Sequence, residues 1–401
     1  MEQFADYLRT KLKDPAYDYR QDSFLSFLKS PARDYKESPT VKDYIRIEGG
    51  HLEKMATGFY QRQDISVESE ADIVLVNGFI TKSKEIHGME IMNIVENHQE
   101  IPSFVWEQKG KEREEFLVNA AWSSGYYMKV EDNTDITVSL DLYNTDSSGS
   151  EKNVIVVGRM SRLNLSESRY SKGKGSGSET QGKSTYIFMD EGSTVNFNYL
   201  QDKDRNVVDI TFIRSFQKRD SNFNIFHVNH GASMLLFLNE SLQEGNASDY
   251  KVYGVSFSDG NQQIDVRDSS FQMGKNTNAD IQVRGVVTGK SSTIHRGNVD
   301  IELESINSNG IYDSRILLLS KEGFANSKPG LMIKNNSTRS KHGSAISSVD
   351  SEQVLYMRSR GIGEKDAMNL ITGGFVGSIM EKSNNEKFIS AVHRFTENLA
   401  I

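Results

Sequence analysis

The sequence predicts a mainly β protein with a helical region at each end. Short β-favouring runs alternate with Gly, Asn, Asp and Ser over about 115–339, and no convincing helical period lies between them. Apolar residues at helical spacing occur before this part and again after residue 348. We therefore expect a mainly helical region at 1–104, a β core at 105–345 and a helical domain at 346–401.

The N-terminal region is expected to begin with two short helices. Apolar residues recur at intervals of three and four over 4–12 and again over 24–28. A proline follows each of these segments and would end the helix, because proline lacks a backbone donor and clashes with the preceding turn. Further on, 72–78 predicts a strand that ends in a turn, and 86–94 predicts a helix.

Twelve runs in the central part have the composition of strands. They are Asp135–Tyr143, Asn153–Met160, Thr185–Met189, Thr194–Leu200, Val207–Phe216, Phe223–Val228, Met234–Asn239, Lys251–Phe257, Gln263–Val266, Asp280–Val287, Asn298–Leu303 and Ile316–Leu319. Two architectures fit them, a β-sandwich with hairpin turns and a parallel β-helix. Small polar residues within the runs, as in 196–198 and 265–267, favour the β-helix. The Gly-, Ser- and Lys-rich segment 169–183 is expected to be a loop.

After residue 348 the hydrophobic period becomes helical. Asp350 is placed to cap a first helix, with Gln353 as its capping-box partner, and Gly361 interrupts the pattern. Apolar residues then mark a second amphipathic helix over 367–380 and a third over 388–399.

Composition excludes several classes of function. The absence of cysteine excludes disulfides, thiol catalysis and an iron–sulfur cluster held wholly by this chain's own thiolates. A net charge of −8 and a pI of about 5.6 argue against a general nucleic-acid or anionic-membrane binder. No apolar run is long enough to span a membrane, and the first residues lack a basic or apolar signal region, so we expect a cytoplasmic protein.

The segment Gly177–Ser184 matches the phosphate-loop pattern G-x-x-x-x-G-K-[ST]. Such a loop binds phosphate only where it leaves a strand and opens a helix. Here a strand is expected to begin at Thr185, which leaves no residues for a helix, so we interpret the match as accidental.

Three other groups of residues have structural explanations. His227 and His230 have a metal-ligand spacing, but residues three apart on a strand face opposite sides. Glu302 and Glu304 share one strand face, as an acid/base pair would. No candidate nucleophile lies nearby in sequence, however, and a solvent-exposed strand face accounts for two acidic residues at this spacing. The isolated histidines, His295 among them, are interpreted as structural or solvated.

The most specific stretch joins the β core to the C-terminal helices. Its features are His342-Gly343, Asp350-Ser351-Glu352-Gln353, Tyr356, Arg360-Gly361 and, further on, Gly374-Phe375. A second group lies at Gly274-Lys275-Asn276-Thr277, Gly285, Ser291 and Arg296-Gly297. Taken alone, the first group describes a hinge with a tight turn at its glycine. Together and in this order, the two groups resemble the SufB/SufD family of iron–sulfur cluster assembly proteins.

The resemblance implies a right-handed parallel β-helix flanked by helical ends, in a protein that is not itself an enzyme. It also implies that two SufB/SufD chains pair, as a homodimer or a heterodimer, and that the ATPase SufC docks on the C-terminal helices. The candidate docking residues are then Tyr356, Arg360, Gly361, Leu370 and Phe375.

By the same resemblance, His342 corresponds to the family histidine near the cluster-building site, and neutral imidazole is a suitable iron ligand. The family's other positions are altered. Ser314 stands where SufB-type chains have a scaffold cysteine, Ser340 where many SufD-type chains have one, and Gly343 where SufB-type chains have glutamate. Serine is a poor iron ligand, so we expect iron or a transient cluster at the dimer interface and none bound stably by this chain alone.

Three classes of function stay open. The first is a non-catalytic assembly subunit that binds SufC and a second SufB/SufD chain. The second is a self-contained homodimeric scaffold that holds iron through His342 and carboxylates. The third, with the resemblance set aside, is a carbohydrate-active β-helix enzyme, which the missing secretion signal and the amphipathic C-terminal helices disfavour. No nucleic-acid or membrane partner is expected.

Overall fold

The computed structural model describes residues 16–31, 45, 47–63, 65–108, 110–145, 147–172, 178–383 and 385–399. Within them the helices are α1 (Tyr17–Lys29), α2 (Gly49–Thr57), α3 (Arg113–Ala121), α4 (Ser351–Ser359), α5 (Glu364–Met380) and α6 (Glu386–Glu397). The strands are β1 (Ile73–Val76), β2 (Phe79–Ser83), β3 (Met89–Asn93), β4 (Tyr126–Val130), β5 (Asp135–Asn144), β6 (Gly149–Val157), β7 (Arg162–Ser171), β8 (Glu179–Met189), β9 (Thr194–Asp202), β10 (Val207–Gln217), β11 (Asn222–Asn229), β12 (Met234–Gln243), β13 (Asp249–Ser258), β14 (Gln263–Gln272), β15 (Asn278–Val287), β16 (Ser292–Ile301), β17 (Asn309–Leu318), β18 (Phe324–Ile333) and β19 (Lys341–Ser348). The helix predicted over 4–12 lies outside the described residues.

The strands build a parallel β-helix of two sheets. Odd-numbered strands from β5 to β19 form sheet 1, even-numbered strands from β4 to β18 form sheet 2, and each pairs in parallel with the strand two positions along the chain. Seven consecutive turns, from β5–β6 to β17–β18, each supply one strand to either sheet. A sandwich built on hairpins would pair consecutive strands antiparallel. The predicted β-helix is therefore confirmed, and the sandwich alternative is wrong.

Three further strands close the N-terminal end of the β-helix. β1 extends sheet 1 in parallel with β5, and β2 pairs antiparallel with β1. β3 pairs antiparallel with β4 at the edge of sheet 2. The helix predicted over 86–94 is therefore wrong, because pairing with β4 overrides the short helical spacing of this segment.

Inward-facing side chains stack in columns along the axis, because residues in register on neighbouring strands point to the same face. One column in sheet 1 is apolar until its last member: Val138, Leu165, Phe197, Ile225, Val252, Ile281, Tyr312 and His342. A second column is mixed: Glu167, Tyr199, His227, Gly254, Val283, Ser314 and Ser344. The interior of the β-helix therefore carries polar and charged groups among its apolar core.

One corner of the β-helix is made by residues in the left-handed conformation. They are Asn133, Met160, Gly192, Asp220, Ala247, Asn276 and Asn307. All but the last donate their backbone N–H to a carbonyl of the next turn, as Met160 does to Glu191 at 3.0 Å. Successive members lie 27 to 32 residues apart. The turns therefore repeat without a fixed period.

Helices cover part of the outer face of each sheet. Met55 of α2 and neighbouring residues of α1 and α3 pack on sheet 2 around Phe212. Phe388 of α6 packs on sheet 1 against Phe226. The helices predicted at 24–28, 367–380 and 388–399 are confirmed as α1, α5 and α6.

Two boundaries differ from expectation. The segment 169–183 is not wholly a loop, because β7 continues through Arg169 to Ser171 and β8 begins at Glu179. The strands β2, β4, β7, β18 and β19 were not predicted. The limits of the three predicted regions, 1–104, 105–345 and 346–401, stay a prediction.

Candidate functional site at the open end of the β-helix

At the C-terminal end of the β-helix, no described turn covers the last two strands. β18 and β19 terminate sheet 2 and sheet 1, and none of their residues is buried, whereas every residue of β10 is buried. Ile333 and Ile346 continue inward-facing columns, yet 39% and 43% of their surface is exposed. We call the surface formed by β18 and β19 the open end.

His342 lies on the open end. It is in register with Tyr312, which is buried in the core, so its imidazole continues an interior column, and no described strand lies above it. No hydrogen-bond or ion-pair partner for this ring lies among the described residues. The predicted tight turn at Gly343 is wrong, because both residues lie within β19 and are held by pairing with β17.

Beneath the open end, hydroxyl and imidazole groups form a chain of hydrogen bonds into the core. The Oγ of Ser327 donates to that of Ser314 at 2.9 Å, and Ser314 lies 3.2 Å from Nδ1 of His295. Nε2 of His295 lies 2.9 Å from the Oγ of Ser256. Burial lowers the pKa of His295 to about 3, so the ring is neutral, with one donor and one acceptor nitrogen. Ser344 stands in register above Ser314.

Sequence reasoning missed Ser327, Ser344 and the part played by His295. These residues are remote from one another in sequence and come together only through the register of three strands. The interpretation of His295 as structural is consistent with its burial. These residues can be recognised as a group only after the turns of the β-helix have been aligned in register, because each one alone is an ordinary strand residue.

The open end offers single ligands rather than a complete metal site. No group of three or more His, Asp or Glu able to hold a metal ion occurs in the part of the chain that the structure describes. Ser314 is fully buried, and Ser340 accepts a hydrogen bond from the backbone of Gly310 at 2.9 Å. An iron ion at the open end would meet the imidazole of His342, which has no partner among the described residues, and those residues offer no complete set of metal ligands.

The helix that follows β19 is also uncovered. α4 has no buried residue, and Leu355 and Tyr356 are 65% and 60% exposed. The predicted N-cap is confirmed, since Asp350 accepts a hydrogen bond from the backbone of Glu352 at 2.8 Å. Gly361 follows the helix with a φ of +88°, a conformation that glycine adopts without strain.

The five candidate docking residues fall into two groups. Tyr356, Arg360, Gly361 and Leu370 are exposed, and the guanidinium of Arg360 lies over the ring of Tyr356, 5.3 Å from its centroid. Phe375 is half-buried and packs against the apolar cluster that α5 and α6 form with sheet 1. The exposed residues therefore line α4 and the adjoining face of α5.

A family model for the SufBD core domain of the SUF system of FeS cluster assembly matches residues 142–375. The match runs from β5 through the open end and α4 into α5, and covers more than half of the chain. This chain belongs to the SufBD family.

Curated relatives carry the same family name. Iron–sulfur cluster assembly SufBD family proteins from Porphyra purpurea and Staphylococcus epidermidis (strain ATCC 12228) are 23% and 22% identical over 286 and 264 residues. These alignments cover 69% and 65% of this chain and 59% and 57% of the relatives. A SufBD family protein from Galdieria sulphuraria is 30% identical over 131 residues, 33% of this chain and 59% of its own length. The chain thus spans less than two thirds of these relatives.

The second group of SufBD-like residues has a structural explanation. Arg296 pairs with the carboxylate of Asp265 on the neighbouring turn. A Cβ on Gly297 would overlap the carbonyl oxygen of Asp268, so only glycine fits this close approach of two turns. These two residues therefore hold adjacent turns together.

The segment that matched the phosphate-loop pattern lies in a strand. β8 begins at Glu179, six residues before the predicted start, and contains Lys183 and Ser184. The side chain of Lys183 is buried inside the β-helix and donates to Glu167 at 2.9 Å. No helix follows, so the described residues 178–184 cannot form the strand–loop–helix site that phosphate needs.

The histidine pair does not converge on one site, as predicted. His227 is buried, with Nε2 3.2 Å from the carboxylate of Asp268, whereas His230 stacks outside on the ring of Phe395, 3.9 Å between centroids. The strand predicted through Glu302 and Glu304 ends at Ile301 instead. Glu302 follows it in a turn and binds the Nζ of Lys334 at 2.7 Å.

Among the described residues, no helix is both long and apolar enough to span a membrane. A relative from Arabidopsis thaliana, 27% identical over 143 residues, 36% of this chain and 26% of its own length, is named chloroplastic. The cytoplasmic location of this chain stays a prediction.

Proposed function

We propose that this SufBD family chain is a non-catalytic subunit of an iron–sulfur cluster assembly complex. It pairs with a second SufB/SufD chain through the open end and docks a SufC-type ATPase on α4 and the adjoining face of α5. Iron or a transient cluster is then cargo at the paired interface. The observation that carries this proposal is the coincidence of two uncovered surfaces with the family's motif residues, His342 on the open end and Tyr356 on α4.

Pairing is supported by the way in which the β-helix ends. An edge strand with unpaired backbone groups and exposed apolar side chains can pair with a strand of another chain. Met332 and Ile346 are 54% and 43% exposed at this surface. A second open end placed against this one would bury them, and it would bring thiolates or further imidazoles to His342, since this chain has no cysteine.

Docking is supported by the exposure of α4. Short helices derive most of their stability from packing an apolar face, yet no residue of α4 is buried among the described residues. Leu355, Tyr356 and Leu370 would supply that face to a partner. When two docked ATPases approach each other on binding ATP, they would pull on α4 and α5 and shift the paired β-helices.

The docking proposal is tested by replacing Leu355 and Tyr356 with aspartate and titrating the variant with the purified SufC-type ATPase of the same genome. We expect at least a ten-fold loss of affinity, because a charged side chain would be buried without a partner. Leu28→Asp on α1 is the matched control, since Leu28 is 55% exposed. Unchanged affinity in the double variant would refute the assignment of α4.

A self-contained homodimeric scaffold is the second candidate, favoured by the free imidazole of His342. Anaerobic incubation of the chain with iron and sulfide separates the two. A stoichiometric cluster that is lost in His342→Ala would favour the scaffold, whereas no cluster in the lone chain would favour the assembly subunit. The family match lends no support to a carbohydrate-active enzyme.

A further inference from the structure

A cleft of about 900 Å³ lies on the outer face of sheet 2, remote in sequence from the open end. Its floor is formed by the outward-facing side chains at the ends of β6, β8 and β10, and one wall by the helical turn Ser103–Glu107. Its volume is within the range of natural ligand sites. Nothing in the proposed assembly function uses this cleft.

The floor is aromatic. Phe188 and Phe216 stack with 4.8 Å between centroids and 11° between planes, and Phe104 meets Phe188 edge-on at 5.1 Å. Phe104 is nevertheless 41% exposed, a large fraction for a phenylalanine at the mouth of a cleft. The floor therefore offers an apolar surface of rings on which another ring or a large aliphatic group can pack.

The rim is acidic. Among the described residues, five carboxylates line the cleft against two ammonium groups, and one ammonium, that of Lys218, is already paired with Asp190 at 3.2 Å. The carboxylates of Glu107, Glu131 and Glu244 are exposed and have no side-chain partner among the described residues. An apolar floor beneath unpaired negative charge fits a ligand with an apolar body and positive charges at its ends.

We infer that this cleft binds a basic peptide segment of a partner protein, with one aromatic or large aliphatic side chain on the ring floor and Lys or Arg on both sides. Phe104 and Phe188 take the apolar side chain. Glu131 and Glu244 pair with the flanking cations. Binding of this kind places a partner on sheet 2 while the open end and α4 stay free.

The inference is tested by fluorescence anisotropy at about 150 mM salt with labelled hexapeptides. Lys-Lys-Phe-Leu-Lys-Lys should bind at least ten-fold tighter than Lys-Lys-Ser-Ser-Lys-Lys or Ser-Ser-Phe-Leu-Ser-Ser, because both the ring floor and the rim contribute. Phe104→Ala and the double variant Glu131→Lys with Glu244→Lys should each weaken binding of the first peptide at least ten-fold. Added salt should weaken it further.

Two controls separate local from global effects. Leu25→Ala changes an apolar residue of α1 that is 42% exposed, and Glu53→Lys changes an exposed carboxylate of α2. Both control variants should bind the first peptide with wild-type affinity. The melting temperature of every variant should equal that of the wild-type protein. The inference is overturned if the serine-containing basic peptide binds equally well, if no peptide binds, or if the cleft variants bind like the controls.

Discussion

At the scale of single residues, the interior of the β-helix holds a cluster of charged groups. Glu167 is fully buried and accepts hydrogen bonds from Arg169 at 2.6 Å and from Lys183 at 2.9 Å. Burial alone would raise the pKa of this carboxyl, but the two cations outweigh it and lower the pKa to about 2. Burial and the neighbouring Arg169 lower the pKa of Lys183 to about 7.

This cluster predicts a specific acid sensitivity. The pKa of Glu167 is lower in the folded protein than in the unfolded chain, so its stabilisation is complete above about pH 4.5 and is lost as the pH falls towards 2. The shift corresponds to about 3 kcal/mol. Urea unfolding from pH 6 to pH 3 should therefore show a shallower loss of stability in Glu167→Gln than in the wild type.

The matched control is Glu191→Gln, which changes a half-buried surface carboxylate paired with Arg159. It should follow the wild-type pH dependence. At pH 6, Glu167→Gln should also lower the free energy of unfolding by about 3–5 kcal/mol, because it leaves buried cations without their partner. Parallel pH profiles for Glu167→Gln and the wild type would contradict this account of the cluster.

The same residues explain where sequence reasoning failed. Arg169 and Lys183 carry charge at inward positions, which breaks the alternation that marks a half-buried strand. The segment therefore has the composition of a loop, although β7 and β8 pass through it. Ion pairs inside the β-helix stabilise these positions. Lys183 donates to Glu167, which lies 16 residues away on the other strand of the same turn, and Arg169 donates to Glu151.

At the scale of elements, α4 and α6 differ in how much of their apolar surface packs against the rest of the protein. Phe388 of α6 is fully buried against sheet 1, whereas Leu355 of α4 is 65% exposed. Phe388→Ala should lower the free energy of unfolding by about 3–5 kcal/mol, since it leaves a cavity in a packed cluster. Leu355→Ala should change it by less than about 0.5 kcal/mol. Urea denaturation followed by circular dichroism measures both.

An equal cost for the two substitutions would show that α4 packs on the free protein. That result would remove the argument for a docking partner at this helix.

The C-terminal helices were predictable because their signals are local. The period of apolar residues marks α5 and α6, and Asp350 and Gly361 mark the ends of α4. β18 and β19 carried no such signal. Their residues stay exposed at the open end, so they lack the apolar runs that identified the buried strands.

At the scale of the whole molecule, only small polar residues within the strands favoured the β-helix over the sandwich, because the sequence has no fixed repeat length. The left-handed corner explains why the repeat length varies. Its members, from Asn133 to Asn307, differ in residue type and spacing, because in all but the last a backbone hydrogen bond, and not a side chain, is what repeats. The family's motif residues implied the β-helix, which periodicity alone did not establish. They also placed His342 between the β core and the C-terminal helices, but did not show that it ends an interior column.

The central claim is that the open end is the surface through which two SufB/SufD chains pair. Hydrogen–deuterium exchange of this chain, alone and with its second SufB/SufD chain in stoichiometric amounts, tests it most directly. Backbone N–H groups of β18 and β19 should exchange quickly in the lone chain and at least ten-fold more slowly in the complex, while those of β10 stay protected in both. A complex that forms without slowing exchange in β18 or β19 would contradict the claim.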